Sequence, residues 1–289
     1  MAKTATFSNG TSKPKLGQHF LGGAASAERI VNALGDISQS TVLEIGPGRG
    51  ALTAILARRA RRLIAVELDR VLSAQLRMQF SLTPNVEIIE ADILSVDINS
   101  IFGPKPGTSR PGLEFIPERA HVVGNLPYYI TSDLLLRLFE YRKYFDLLVI
   151  MVQKEVADRL AAKPGGAEYG LLSATAQLYA TVDRLFTLGP GEFSPPPKVD
   201  SAVVRLTIEP KLEKLQVAER PFINFLKLSF AQKRKTLWNN LRETYETKTL
   251  RAAMEDAGID ANVRAEALSL EKSAALFRAL MNSNVPAGK

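Results

Sequence analysis

The sequence predicts an α/β protein: a doubly wound, mostly parallel sheet followed by a small helical domain. Three observations lead there. From Thr41 onward, short β-branched runs alternate with longer stretches of helical period, the pattern of strand–helix–strand units. A glycine-rich turn sits where the first of these strands hands over to its helix. After Pro210 the strand signal stops and only helical periodicity follows.

In chain order, residues 1–15 are polar and are expected to be flexible. Thr41–Ile45 reads as a first strand, Ala51–Arg59 as a helix and Leu63–Glu67 as a second strand. Arg70–Gln79 is helical, Val86–Glu90 is a third strand and Val122–Gly124 a fourth. A helix over Ser132–Phe139, a fifth strand over Leu147–Val152 and a helix over Gln153–Ala161 continue the alternation. Val182–Leu188 and Ser201–Ile208 read as a hairpin-like antiparallel edge. Gly103–Glu118 holds four prolines and three glycines without periodicity, the mark of a long surface loop inserted before the fourth strand. Pro221–Leu241 is a single long helical pattern, and Leu250–Ala257 and Glu271–Met281 follow it. A boundary near Glu209–Leu215 would separate an α/β domain over residues 16–209 from a helical one over 210–289.

Charge narrows the partner class. The 289 residues carry 37 Lys+Arg against 30 Asp+Glu, a net charge of +7, which suits a polyanion but fits a partnerless basic protein equally well. Without cysteine there are no disulfides, thiol nucleophiles or Cys-based zinc sites, and two histidines, His19 and His121, are too few for a histidine-rich metal centre. No apolar run approaches the roughly 20 residues that span a bilayer. The first ten residues lack an apolar core and arginines, so a cytoplasmic protein is expected.

The glycine turn is Glu44-Ile45-Gly46-Pro47-Gly48-Arg49-Gly50. Glycines at alternate positions let the backbone turn tightly and approach a ligand. The spacing Gly-x-Gly-x-Gly departs from the dinucleotide fingerprint, Gly-x-Gly-x-x-Gly. Glu44, two residues ahead of Gly46, would repel a pyrophosphate but attract the ammonium of a methionine moiety. Glu67 ends the second strand, where an acid grips ribose hydroxyls in such folds. Asp92, just past the third strand, can accept an adenine's exocyclic amine. Each acid alone is a weak signal; three at successive strand ends behind that turn point to S-adenosylmethionine.

The fourth strand runs into Gly124-Asn125-Leu126-Pro127-Tyr128-Tyr129. With this segment the chain resembles the ribosomal RNA adenine N6,N6-dimethyltransferases of the kasugamycin-resistance type, whose cousins are the erythromycin-resistance methylases. The resemblance runs from about Lys13 to Met281. It rests also on Leu16-Gly17-Gln18-His19-Phe20-Leu21, the glycine turn, Phe193-Ser194-Pro195-Pro196-Pro197-Lys198-Val199-Asp200-Ser201, and Phe230-Ala231-Gln232-Lys233-Arg234-Lys235-Thr236-Leu237. It implies that His19 and Leu21 flank the cofactor, with Asn125 contacting it, and that Phe193 closes one side of the base pocket. It also implies a cytoplasmic enzyme acting on 16S rRNA within the small (30S) subunit; a monomer without metal is expected.

The chemistry explains the residue types. An adenine N6 amine is a poor nucleophile because its lone pair is delocalised into the ring. Two acceptors, the Asn125 side-chain oxygen and the Leu126 carbonyl, would draw its hydrogens out of the ring plane and localise the lone pair. Pro127 fixes the backbone so that the Leu126 carbonyl points inward, and Tyr128 offers a face to a flipped-out base. In isolation Asn-x-Pro-Tyr is equally an ordinary turn. Lys233, Arg234 and Lys235, expected on a helix and accompanied by Phe230 and Trp238, are candidates for rRNA contact, although such a run is commonly a solvated face. Two departures from the family pattern are the Gly103–Glu118 insertion and Lys233 in place of an arginine, which keeps the charge but loses the bidentate fork. The rivals are a large-subunit resistance methylase, a ribosome-assembly or transcription factor that has lost catalysis, and a DNA adenine methyltransferase. The second would show damage in the motifs; the third more often carries Asp at position 125.

Overall fold

A computed structural model of the chain describes residues 19–104 and 118–283. The N-terminal segment expected to be flexible and most of the insertion lie outside the described residues.

The elements in chain order begin with β1 (Phe20–Leu21), α1 (Ala24–Asn32), β2 (Thr41–Ile45), α2 (Thr53–Arg59), β3 (Arg62–Glu67), α3 (Arg70–Gln79) and β4 (Val86–Glu90). Then come α4 (Ile98–Phe102), β5 (Ala120–Asn125), α5 (Thr131–Glu140), β6 (Phe145–Gln153), α6 (Lys154–Ala161) and α7 (Leu171–Tyr179). The chain continues through β7 (Ala180–Leu188), β8 (Phe193–Ser194) and β9 (Ser201–Ile208). Helices α8 (Leu212–Leu215), α9 (Glu219–Ser229), α10 (Leu237–Leu241), α11 (Thr247–Asp256) and α12 (Leu270–Ser283) complete it.

Seven strands form one sheet in the order β4-β3-β2-β5-β6-β9-β7. The pairs from β4 to β6 are parallel, and β9 runs antiparallel to both β6 and β7. The expected antiparallel edge is present, with the later strand lodged inside and the earlier one outermost. Successive strand residues serve opposite faces, as the period of two requires. Val42, Leu63, Val123, Val149 and Val203 pack with Ile30 of α1 and Ile55 of α2. Their neighbours Leu43, Ile64, Val122, Ile150 and Val204 pack on the other side with Leu134, Leu138 and Ala174. Because helices cover both faces, these strands read as continuous apolar runs rather than alternating ones.

That second core does not stop at the boundary expected near 209–215. Phe222 and Phe225 of α9, Leu250 of α11 and Phe277 of α12 belong to the same contiguous cluster. A polar clamp reinforces the join: Arg142 donates two hydrogen bonds to the Glu219 carboxylate, each 2.8 Å, and the Tyr179 hydroxyl donates to Glu219 Oε1 at 2.8 Å. Among the described residues no helix is long and apolar enough to cross a membrane.

The single helix expected over Pro221–Leu241 is two. The chain leaves α9 after Ser229 and re-enters helix at Leu237, where the Thr236 hydroxyl caps α10 by accepting the Asn239 N–H at 3.3 Å. Asn240 Nδ2 donates to the Ser229 carbonyl at 2.7 Å, holding the break. Lys233, Arg234 and Lys235 therefore lie in an exposed turn and not on a helix. Phe230 and Trp238 are partly buried against the core.

Candidate active site

The carboxyl ends of β2, β3, β4 and β5 converge on one cavity of about 480 Å³. It opens where the order of strands reverses, between β2 and β5, the point at which open α/β sheets bind ligands. Its walls bring together nearly every residue singled out above: His19, Leu21, Glu44, Gly46, Gly48, Glu67, Asp92, Asn125, Leu126, Pro127 and Tyr128.

Gly46, Gly48 and Gly50 have φ of +64°, +59° and +83°. Gly48 is the most constrained, since a Cβ there would also lie 2.9 Å from the Phe20 ring. Its N–H donates to Glu67 Oε2 at 2.9 Å, and the Asp69 N–H donates to Oε1 at 2.9 Å. Glu67 thus ties the turn to the end of β3, and its oxygens retain lone pairs for further donors. Asp92 Oδ1 accepts the Leu94 N–H at 2.9 Å, which fixes the carboxylate at the wall.

Glu44 is 1% exposed, and its Oε2 has no hydrogen-bond partner. Burial pushes its carboxyl up to about 8; Thr53, close enough to hydrogen-bond it, offsets part of the rise, and the nearby Glu67 charge adds to it. An unpaired buried oxygen in a cavity wall is what an incoming cationic group would satisfy. The donor set therefore fits the ammonium, ribose and adenine of S-adenosylmethionine.

His19, Phe20 and Leu21 line one side of this cavity. Leu21 pairs with Phe193 in the two-stranded β1–β8 ribbon. The His19 carbonyl accepts Asn125 Nδ2 at 2.8 Å, and His19 Nδ1 donates to the Pro195 carbonyl at 2.8 Å. With its amide nitrogen engaged, Asn125 keeps Oδ1 as an acceptor. The His19 and Tyr128 rings stack with centroids 6.1 Å apart. The Tyr128 hydroxyl lies 2.7 Å from Ser201 Oγ, at the fully buried start of β9.

Phe193 is 5% exposed and packs with Leu188 and Val203. It stands behind the cavity wall, paired with Leu21, which does line the cavity. Lys233, Arg234 and Lys235 stand outside the cavity wall, and Lys233 Nζ donates to the Ala167 carbonyl at 2.9 Å. Sequence reasoning missed Ser201 as the partner of Tyr128 and Gly124 as a packing requirement. A Cβ at Gly124 would lie 2.5 Å from the Ile45 carbonyl oxygen, so only glycine lets β5 run this close to β2.

The sequence matches the family described as ribosomal RNA adenine dimethylase over residues 9–282. The chain belongs to the ribosomal RNA adenine dimethylase family. It is 59% identical to a ribosomal RNA small subunit methyltransferase A from Koribacter versatilis over 268 residues, 93% of this chain and 94% of the other. A protein of the same description from Acidobacterium capsulatum is 52% identical, with 94% and 92% covered. Among solved structures, a dimethyladenosine transferase from Plasmodium falciparum superposes with a TM-score of 0.74 at 25% identity, covering 89% of this chain and 96% of that one. The dimethylase family membership accounts for the undamaged glycine turn and Asn-Leu-Pro-Tyr segment on the doubly wound sheet.

Proposed function

We propose that this protein dimethylates the N6 amines of two adjacent adenines in a hairpin near the 3′ end of 16S rRNA, within the small (30S) subunit, as a step of ribosome biogenesis. The observation that carries the proposal is the Asn125 amide: its nitrogen is held by the His19 carbonyl, leaving Oδ1 as acceptor in a cavity whose wall also holds the unpaired Glu44 oxygen. The small-subunit assignment is supported by the names of the relatives to which this chain is identical at more than half of the aligned positions.

Glu44, Gly46, Gly48, Glu67 and Asp92 would hold S-adenosylmethionine, which supplies an electrophilic methyl group on sulfur. Asn125 Oδ1 accepts one hydrogen of the target amine and the Leu126 carbonyl accepts the other. The amine pyramidalises and its lone pair turns out of the ring plane. Pro127, with φ −57° and ψ 127°, sets the direction of the strand-end backbone from which these acceptors project. Tyr128 supports the flipped base with a ring that its hydroxyl anchors to Ser201. This is catalysis by orientation and fixed dipoles, with no strong base required. The residues beyond 210, with Lys233, Arg234 and Lys235 exposed in their turn, dock on rRNA phosphates and place the adenines.

The test is mass spectrometry of rRNA fragments after incubating the protein with labelled S-adenosylmethionine and unmethylated small subunits. Two methyl groups on each of two neighbouring adenines are expected. Small-subunit RNA left without label on neighbouring adenines would overturn the assignment. Asn125→Ala should lower the transfer rate roughly 10²–10³-fold while cofactor binding stays intact.

A further inference from the structure

Tyr129 is 64% exposed, and no other aromatic occurs among the large exposed hydrophobic side chains of the described residues. It lines the mouth of the same cavity as Tyr128, and neither its hydroxyl nor its ring has a partner among the described residues. Its backbone is nevertheless firmly held. Tyr128–Ile130 forms a single 3₁₀ turn, in which the Pro127 carbonyl accepts both the Ile130 N–H and the Thr131 hydroxyl at 3.2 Å. A rigid turn that presents a free aromatic ring at a cavity rim has the form of a stacking platform.

Consecutive residues of a 3₁₀ turn point about 120° apart, because the turn contains three residues. Tyr128 and Tyr129 therefore cannot stack on the same base. Tyr128 is committed inward by Ser201 and His19. Resting on the reading of an RNA substrate whose adenine leaves its stack, we propose that Tyr129 stacks on the base of the nucleotide flanking the target adenine. Its ring replaces the stacking that the neighbour loses when the adenine turns out, and it sets the depth to which the target enters. Leu68, 49% exposed, also lines this cavity, from the β3 side. Tyr129 is a positioning residue for the substrate; it is not placed at the reacting atoms.

The experiment compares Tyr129→Ala, Tyr129→Phe and Tyr129→Leu in dissociation constant for unmethylated small subunits and in rate at saturation. Tyr129→Ala should weaken subunit binding roughly 5- to 150-fold, the effect of losing one base–aromatic stack. Tyr129→Phe should bind like the parent, because the ring and not the hydroxyl acts. Tyr129→Leu should resemble alanine, which separates stacking from general apolar contact. S-adenosylmethionine affinity should be unchanged in all three. Subunit binding by Tyr129→Ala within twofold of the parent would overturn the platform, as would full retention by Tyr129→Leu. Asn125→Ala run alongside keeps the two readings apart: if it also transfers methyl at the parent rate, the catalytic reading has failed rather than this one.

Discussion

Glu44→Gln removes one ionisable proton from the cavity wall and changes almost nothing in shape. In the folded protein the Glu44 carboxyl stands at about 8 against an ordinary 4.5, because it is buried without a partner for Oε2. A raised carboxyl favours its neutral form. Its contribution to stability is complete below pH 4.5, declines as the unfolded chain ionises above that, and is lost by about pH 8. At about 1.36 kcal/mol per pH unit, the interval bounds the linked loss at about 5 kcal/mol. Glutamine carries no such linkage, so urea denaturation should show the variant gaining on the parent between pH 5 and pH 8. At pH 7 a carboxyl titrating at about 8 is roughly nine-tenths protonated. An ammonium group arriving beside it would drive that proton off. Calorimetry in buffers of different ionisation enthalpy should therefore find more protons released on S-adenosylmethionine binding by the parent than by the variant, by up to about one. The variant should also bind more weakly by about 1.5–3 kcal/mol, the worth of a charged hydrogen bond. Equal proton release and equal affinity in the two proteins would refute Glu44 as the ammonium site.

Other expectations follow from the same geometry. Tyr128→Phe and Ser201→Ala cut the same 2.7 Å link, so each should lower the transfer rate and their combination should be no worse than either alone; additive losses would mean that the link is not the shared cause. Neutralising Lys233, Arg234 and Lys235 should make the slope of log K against log[salt] for subunit binding shallower by about 1.5–2.5, since two or three phosphate contacts are lost. An unchanged slope would make that turn a solvated surface and move the search to Lys105 and Arg110. Gly124→Ala forces a Cβ toward the Ile45 carbonyl and should destabilise the fold by about 1–3 kcal/mol in thermal unfolding; an unshifted midpoint would show that β2 and β5 part without penalty.

What the sequence made legible was local. The strands of the parallel core and the glycine turn are written in contiguous runs, and the acids are counted off from them, so Glu44, Glu67, Asp92 and Asn125 fell into one cavity. The unread features depend on residues far apart in the chain. The β1–β8 ribbon is two residues deep and too short to carry an alternation pattern. Ser201 meets Tyr128 across 73 residues, and a serine opening a strand has no spacing that announces a phenol partner. The break after Ser229 lacks glycine and proline, so periodicity ran through it; the readable sign was Thr236, a residue type that caps helices, in the middle of the supposed helix. Phe193 was placed at the base pocket by the family resemblance alone, and neither its pairing with Leu21 nor its packing in the core could be read from its own neighbours in the chain.

The seat of His19 in the cavity wall also has a meaning in time. His19 is fastened to Pro195, 176 residues downstream. On a ribosome that polymerises about 5–20 residues per second, the glycine turn and all three acids emerge roughly 5–20 s or more before the strand that pins that wall. Through that interval the nascent chain carries every cofactor-contacting group and no finished pocket. Affinity for the methyl donor then marks the point at which synthesis has passed β8.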